Sequence, residues 1–368
     1  MDRGSGGGAL VVRRSGETLV SLTGGHADRH GREPWRENTL ALSFSTTKGA
    51  SSTVIHRLAD RGLVDYDTPV AEYWPAFGTG GKHRVTVRDL LTHRAGLASV
   101  RAIATDAEEL LDHAAMERRL AARAPFGAPT PGSAYHAVTY GWLVSGLARA
   151  VTGQGMAELF RTEIAEPLGT DGIHLGARGD ALDRVADPVG NALRQASTAV
   201  GVSTLLWSRV AATRRPIHAL LVPGFHRLFE GPDPPIWRAE MPAVNGAFSA
   251  DGLARLYGAL ANGGSDDGRT LLSPSRTAEL GRVQLRSADA VLGVQMRWRL
   301  GYHQAFGTGR DAPMAFGHYG YGGSGGWADP ATGLSLGFVT NRIGSLTTPL
   351  GDLNLFRLSG LARRCATA

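Results

Sequence analysis

"ALSFSTTKGASSTVIHRLADRGL", residues 41–63, places Ser45 three positions before Lys48, in a chain that uses lysine only twice. All but two of its 39 Lys and Arg residues are arginine, the other lysine being Lys82. In such a chain a cation needed only for solubility would be written as arginine. Lysine differs because its ammonium can lose a proton when desolvated, whereas guanidinium stays charged. Lys48 is therefore expected to move protons, and Lys82 to be interchangeable with arginine.

The same stretch predicts a helix. Val54, Ile55, Leu58 and Leu63 recur at helical spacing and describe one buried face, with Ser45 at the N-terminal end. Residues three apart on a helix share a face, so the Lys48 amine can reach the Ser45 hydroxyl. The first turn also offers unpaired N–H groups and the positive end of the helix dipole. A weak hydroxyl nucleophile placed there gains both a neighbouring base and donors for an oxyanion.

At 368 residues, with 42% hydrophobic and 20% charged, the chain can bury a large core. It exceeds the roughly 250–300 residues at which a single core stops growing, so two lobes are expected. No apolar run approaches the roughly 20 residues of a membrane span. The N-terminal "MDRGSGGGALVV" has no signal-peptide core of about 7–15 apolar residues, and the expectation is a cytoplasmic protein. The single Cys365 excludes an internal disulfide framework, and its place near the C-terminus suggests a frayed tail. The formal net charge of +6 is carried by dispersed arginines without interleaved aromatics, which argues against nucleic acid and for a solvated surface suited to anionic ligands. No H-E-x-x-H spacing is present, and no metal or other cofactor is expected.

Further along, residues 9–13 and 18–22 predict two strands joined by a turn at Ser15-Gly16. The run Gly4 to Gly8 lacks the context of a dinucleotide site and is read as a flexible lead-in. "VRDLLTHRAGL", residues 87–97, predicts a short helix carrying Leu90 and Leu91, then His93 and a stop at Gly96. "PGSAYHAVTYGWLVSGLARAVTG", residues 131–153, puts Tyr135 just before a helix built on Tyr140, Leu143, Val144 and Leu147. "FGHYGYGGSGGWADPATGLSLGFVTN", residues 316–341, reads as a glycine-rich strand pair ending at Asn341.

These four segments, in this order, resemble the serine hydrolases of the class C β-lactamase and penicillin-binding-protein superfamily, above all the family VIII carboxylesterases. "IAEPLGTDGIHLG" (164–176) and "MPAVNGAFSADGLARLYGALANGG" (241–264) extend the resemblance over nearly the whole chain. It implies an α/β (α+β) serine β-lactamase-like fold, an antiparallel sheet flanked by helices. The sheet lobe would hold about 1–65 and 245–368. A mostly helical lobe, about 66–244, would be inserted between them, with the active site in the cleft.

By the same resemblance Ser45 is the acylated nucleophile, Lys48 the amine that helps remove its proton, and Tyr135 the tyrosine that acts with that lysine as a base and then reprotonates the leaving group. A phenol titrating near 10 needs a nearby cation to serve as a base at neutral pH. The backbone N–H groups of Ser45 and Tyr321 match an oxyanion hole. His318 and Gly320, in place of the family's Lys-Thr-Gly, match substrate-binding positions. His318 would orient an acyl carboxylate, hydrogen-bond Tyr135, or simply face the cleft. His93 is assigned to structure.

Departures from the β-lactamases bear on substrate. Their Tyr-x-Asn becomes Tyr135-His136-Ala137, and the third-motif lysine becomes His318. Loss of these groups weakens recognition of amides and leaves ester acylation possible. The expected function is a carboxylesterase acting on a specialised small-molecule ester. Its rivals are a transacylase of the same fold using an amine or alcohol acceptor, and a non-catalytic binding module. Residues 195–240, apolar, aromatic and proline-broken, suit a lid for a bulky group, or lobe packing or a dimer contact.

Overall fold

A computed structural model of the chain describes residues 6–125, 132–190, 218–220, 222–231, 233–307, 312–344 and 353–367. At its centre is a six-stranded antiparallel sheet drawn from both ends of the sequence. β1 (Gly7–Arg14) and β2 (Glu17–Gly25) form the opening hairpin. The rest are β3 (His303–Gln304), β4 (Phe316–Tyr319), β5 (Gly325–Asp329) and β6 (Leu334–Thr340), in spatial order β2-β1-β6-β5-β4-β3.

The hairpin turns where expected, with Ser15 at φ 51° and Gly16 at φ 89°. Two positive-φ residues give the turn the twist that paired strands require. From Ala9 to Val12 β1 is a continuous apolar run because both its faces are covered there, before it ends in Arg13 and Arg14. Ala9 and Val11 join the main core, where α5 (Ala250–Ala261) lies on the sheet. Leu10 and Val12 join Trp327, Leu336 and Leu355 on the opposite face, beneath α6 (Asn354–Thr367). There Trp327 Nε1 donates to Ser359 Oγ at 2.8 Å.

Three local expectations need correction. Gly7 and Gly8 are strand residues rather than a flexible lead-in, and a Cβ on Gly7 would stand 2.5 Å from the carbonyl oxygen of Gly24. Glycine without a side chain gives no strand pattern, so this close packing was invisible. The segment 316–341 holds three strands rather than two, because Asp329 accepts from Ala331 N and Thr332 Oγ1 and turns the chain through Gly333. Cys365 lies within the terminal helix α6, exposed and unpaired, not in a frayed tail.

The Ser45 stretch forms α1 (Thr47–Asp60), whose Val54, Ile55 and Leu58 are fully buried. Leu63 is not part of this face. The helix ends at Gly62, φ 72°, where Gly62 N donates to Ala59 O and Leu63 N to Leu58 O at 2.9 Å. This glycine-terminated cap turns Leu63 outward. Between α1 and α5 the regular elements among the described residues are mainly short helices. α2 (Val87–Leu91) is opened by a Thr86–Asp89 capping box, and α3 (His113–Ala122) and α4 (Thr139–Thr152) follow. α4 packs directly on α1 through its buried Tyr140, Leu143, Val144 and Leu147. Among the described residues no helix is long and apolar enough to cross a membrane.

Lys82 overturns the expectation of interchangeability. Its side chain is fully buried, and Nζ donates to the carbonyls of Thr79 (2.7 Å), Ala121 (3.0 Å) and Arg123 (2.5 Å). Three acceptors match the three protons of an ammonium, which lies 5.2 Å from the Phe77 ring centroid. A planar guanidinium cannot point three donors into that tripod and is larger than the space it fills. Lys82→Arg is therefore expected to cost about 2 kcal/mol of stability by overpacking and lost hydrogen bonds, while leaving turnover per folded molecule unchanged. Denaturant unfolding of the variant measures this, and an unchanged midpoint would contradict it.

Candidate active site

The short strand Ala41–Leu42, paired antiparallel with Gly246–Phe248, delivers the chain into a tight turn, Phe44–Thr46, that leads into α1. Phe44 takes φ 42°, a left-handed conformation that a bulky residue rarely adopts. Its ring is held 5.8 Å from Phe229 and edge-on, 5.6 Å, to Tyr321. Thr46 Oγ1 donates to Ser324 O at 3.0 Å, and Gly246 N donates to Thr47 Oγ1 at 2.9 Å. A Cβ on Gly320 would lie 2.2 Å from the Ser43 carbonyl oxygen, so only glycine lets the end of β4 press against this turn. The N–H groups of Ser45 and Tyr321 meet no acceptor among the described residues. Backbone from β4 and from the nucleophile turn is thus brought to one place.

Lys48 is fully buried in the first turn of α1. Nζ lies 3.0 Å from Ser45 Oγ, 2.6 Å from the Ala137 carbonyl and 3.1 Å from the Ala243 carbonyl. The two carbonyls only accept, while the hydroxyl can donate. The hydroxyl also accepts, so the set can take three N–H bonds of an ammonium, or two of a neutral amine whose lone pair receives the Ser45 O–H. Desolvation favours the amine, holding the Lys48 pKa well below its ordinary range.

Tyr135 is buried in an irregular segment before α4, with Lys48 Nζ 5.0 Å from its ring centroid. Burial pushes its phenol above the ordinary range, and a hydrogen bond with the Ser45 side chain pulls the other way. Neutral Lys48 beside neutral Tyr135 has the same proton count as an ammonium–phenolate pair and avoids burying two charges. Burial of both groups favours this neutral pair over the lysine cation and phenolate expected from sequence.

Four buried histidines surround this pair. His318 stacks 6.3 Å from Tyr135, and its Nδ1 faces the Tyr319 carbonyl at 3.1 Å. A carbonyl only accepts, so Nδ1 carries the proton and Nε2 presents a lone pair. That nitrogen is buried without a partner among the described residues. An acceptor there does not suit an acyl carboxylate, one of the roles expected of His318. His93, at φ 61°, packs under Tyr135 at 5.0 Å, and His136 N donates to its Nδ1. His136 turns inward and accepts from Leu97 N at 3.0 Å. His303 Nε2 accepts from Tyr319 N at 3.1 Å.

The residues expected from sequence therefore converge: Ser45, Lys48, Tyr135, His318 and Gly320 meet where β4 passes the start of α1. The carbonyls of Ala137 and Ala243 were missed, since a backbone acceptor leaves no mark in a side-chain pattern. Of the expected lid, 195–217, 221 and 232 lie outside the described residues. Its later part packs Phe225 against Phe229 and so behind Phe44.

An antiparallel sheet crossed by a central helix that begins Ser-x-x-Lys defines a serine hydrolase of β-lactamase-like fold. The chain matches the beta-lactamase family over residues 1–353 and belongs to it. It is 47% identical over 359 residues to the esterase/beta-lactamase LipL of Mycobacterium tuberculosis, covering 96% of this chain and 82% of that protein. A crystal structure of a family VIII carboxylesterase superposes with TM-score 0.83 at 36% identity, covering 98% of this chain and 92% of the other. A penicillin-binding-protein homologue from Caulobacter crescentus gives TM-score 0.81 at 34% identity, over 99% and 93% of the two chains. The family resemblance read in the sequence thus holds across the chain.

The buried histidines make stability depend on pH. Desolvation lowers His56 to about 3 and His136 and His303 to about 4, and drives His93 and His318 well below the ordinary 6.5. Unfolded, each takes up a proton near 6.5; folded, each stays neutral. The unfolded state binds more protons, so stability falls as pH drops from about 6.5 toward 4, by up to about 1.4 kcal/mol per pH unit for each histidine. Melting temperatures across pH 8 to 4 should fall steeply below 6.5, and a flat profile would contradict neutral burial.

Proposed function

We propose that this chain is a carboxylesterase working through an acyl-enzyme on Ser45. The observation that carries the reading is the Lys48 side chain, fully buried, 3.0 Å from Ser45 Oγ and held against it by the carbonyls of Ala137 and Ala243. In acylation, Ser45 Oγ bonds to the ester carbonyl carbon while its proton passes to Lys48 Nζ. The N–H groups of Ser45 and Tyr321 receive the oxyanion. On collapse the ester C–O bond breaks, and the Tyr135 hydroxyl protonates the departing alkoxide. The proton on Lys48 then restores the phenol. Water enters, gives its proton to the same pair, and attacks the acyl carbon to release acid and free Ser45.

Several features support an ester over a β-lactam as substrate. Esterases are among the similar proteins of the family, by name, and Ala137 and His318 stand where β-lactamases carry Asn and Lys. His318 Nε2, a free acceptor beside Tyr135, would receive a donor such as the attacking water or an alcohol. That also suits an amine or alcohol acceptor, so acyl transfer is a distinct outcome to be measured.

The test uses a nitrophenyl ester and an alkyl ester of the same acid. Ser45→Ala should abolish turnover and labelling by a serine-directed phosphonate, and Lys48→Arg should lower acylation by on the order of 10²–10⁴-fold. Tyr135→Phe should slow the alkyl ester much more than the nitrophenyl ester, whose leaving group departs unaided. A phosphonate adduct on another serine, or turnover surviving Ser45→Ala, overturns the reading. Amide or new ester outweighing free acid when millimolar amine or alcohol is added would assign a transacylase instead.

A further inference from the structure

Tyr135 sits in a segment without regular structure, so the question is what holds its phenol in place. Asp289 lies at the base of that segment, 1% exposed, with no ion-pair partner among the described residues. Its Oδ1 accepts from the backbone N–H of Tyr135 (3.0 Å), Val291 (2.9 Å) and Leu292 (3.0 Å). Its Oδ2 accepts from Trp298 Nε1 at 3.2 Å, and the same indole N–H reaches Ser133 Oγ at 2.9 Å. The Trp298 ring lies parallel to the Tyr135 ring, 5.6 Å between centroids and 12° between planes. One carboxylate therefore grips Tyr135 twice, through its backbone and through the ring stacked on it.

We propose that Asp289 is a positioning residue for the Tyr135 phenol, acting directly on the Tyr135 backbone and, through the Trp298 indole, on the face of its ring. A buried carboxylate left without a cation is costly, and it is tolerated here with four donors spent on it. A neighbouring tie runs to the same stretch, Ala290 N donating to the Ser133 carbonyl at 2.8 Å. The negative charge of Asp289 also disfavours the phenolate, which keeps Tyr135 in the protonated form that a leaving alkoxide needs. A phenol displaced by an ångström loses the geometry of proton transfer, though the ester still binds.

The inference rests on the reading of Tyr135 as the leaving-group acid, and the experiment separates the two. Asp289→Asn keeps an oxygen for the three backbone donors and turns an amide N–H toward the Trp298 N–H, donor against donor. It should lower kcat for the alkyl ester by on the order of tenfold, with the nitrophenyl ester and both KM values within about threefold. Adding Trp298→Phe removes the opposing donor, keeps a ring on Tyr135, and should recover most of the loss. Should Asp289→Asn fail to fold, Trp298→Leu removes only the stacked ring, and the same selective loss is expected of it. Equal slowing of both esters, or no recovery in the double variant, overturns the positioning role when Tyr135→Phe itself is selective. Equal slowing in Tyr135→Phe overturns the reading of Tyr135, and the Asp289 role with it.

Discussion

The proposed chemistry depends on the full burial of Lys48 beside the Ser45 hydroxyl. Two backbone carbonyls and one hydroxyl surround Nζ. An ammonium and an amine both satisfy these neighbours, since the hydroxyl accepts as well as donates; only the amine keeps a lone pair for the Ser45 proton, and burial favours it. Lys82 supplies the contrast within the same chain: equally buried, but with three carbonyls, it is built to keep its third proton. Burial lowers both lysines, Lys48 much the further. Where Lys82 meets a third carbonyl, Lys48 meets a hydroxyl, which can donate as well as accept.

Holding that geometry requires close backbone approach from three directions. Gly320 lets β4 touch the nucleophile turn, and Gly49 lets α1 lie against the sheet, where a Cβ would stand 2.4 Å from the Tyr257 hydroxyl and 3.5 Å from His318 Cβ. Phe44 accepts an unfavourable φ, and Phe229 and Tyr321 keep it there. Strain of this kind costs on the order of 1–3 kcal/mol and persists only where neighbours over-determine it. Here those neighbours come from the turn after β4 and from the later part of the expected lid. Consequently the site belongs to the whole fold.

Much of this was legible in the sequence. Ser45 and Lys48 share a helical face because of their spacing, Tyr135 precedes a helix with four core residues in register, and the arginine bias drew attention to both lysines. At Lys82 the reason for a lysine is shape rather than proton transfer, with three carbonyls around its Nζ. What could not be read were contacts without a side-chain signature. The carbonyls of Ala137 and Ala243, the strand packing of Gly7 and Gly8, and the cap that excludes Leu63 from α1 are backbone properties. Asp289 lies 154 residues from Tyr135 in a stretch with no periodicity, so nothing local connected the two.

With only two lysines, the protonation state of the proposed base can be observed directly. Protein labelled with 13C- and 15N-lysine should give two side-chain Cε/Nζ signals, and Lys48→Arg identifies the one belonging to Lys48. The Lys48 signal is predicted to carry the shift of a neutral amine at pH 8, titrating well below 10.5, while Lys82 remains an ammonium at that pH. A Lys48 signal that stays that of an ammonium up to pH 10 would contradict the account, because the amine could then not receive the Ser45 proton.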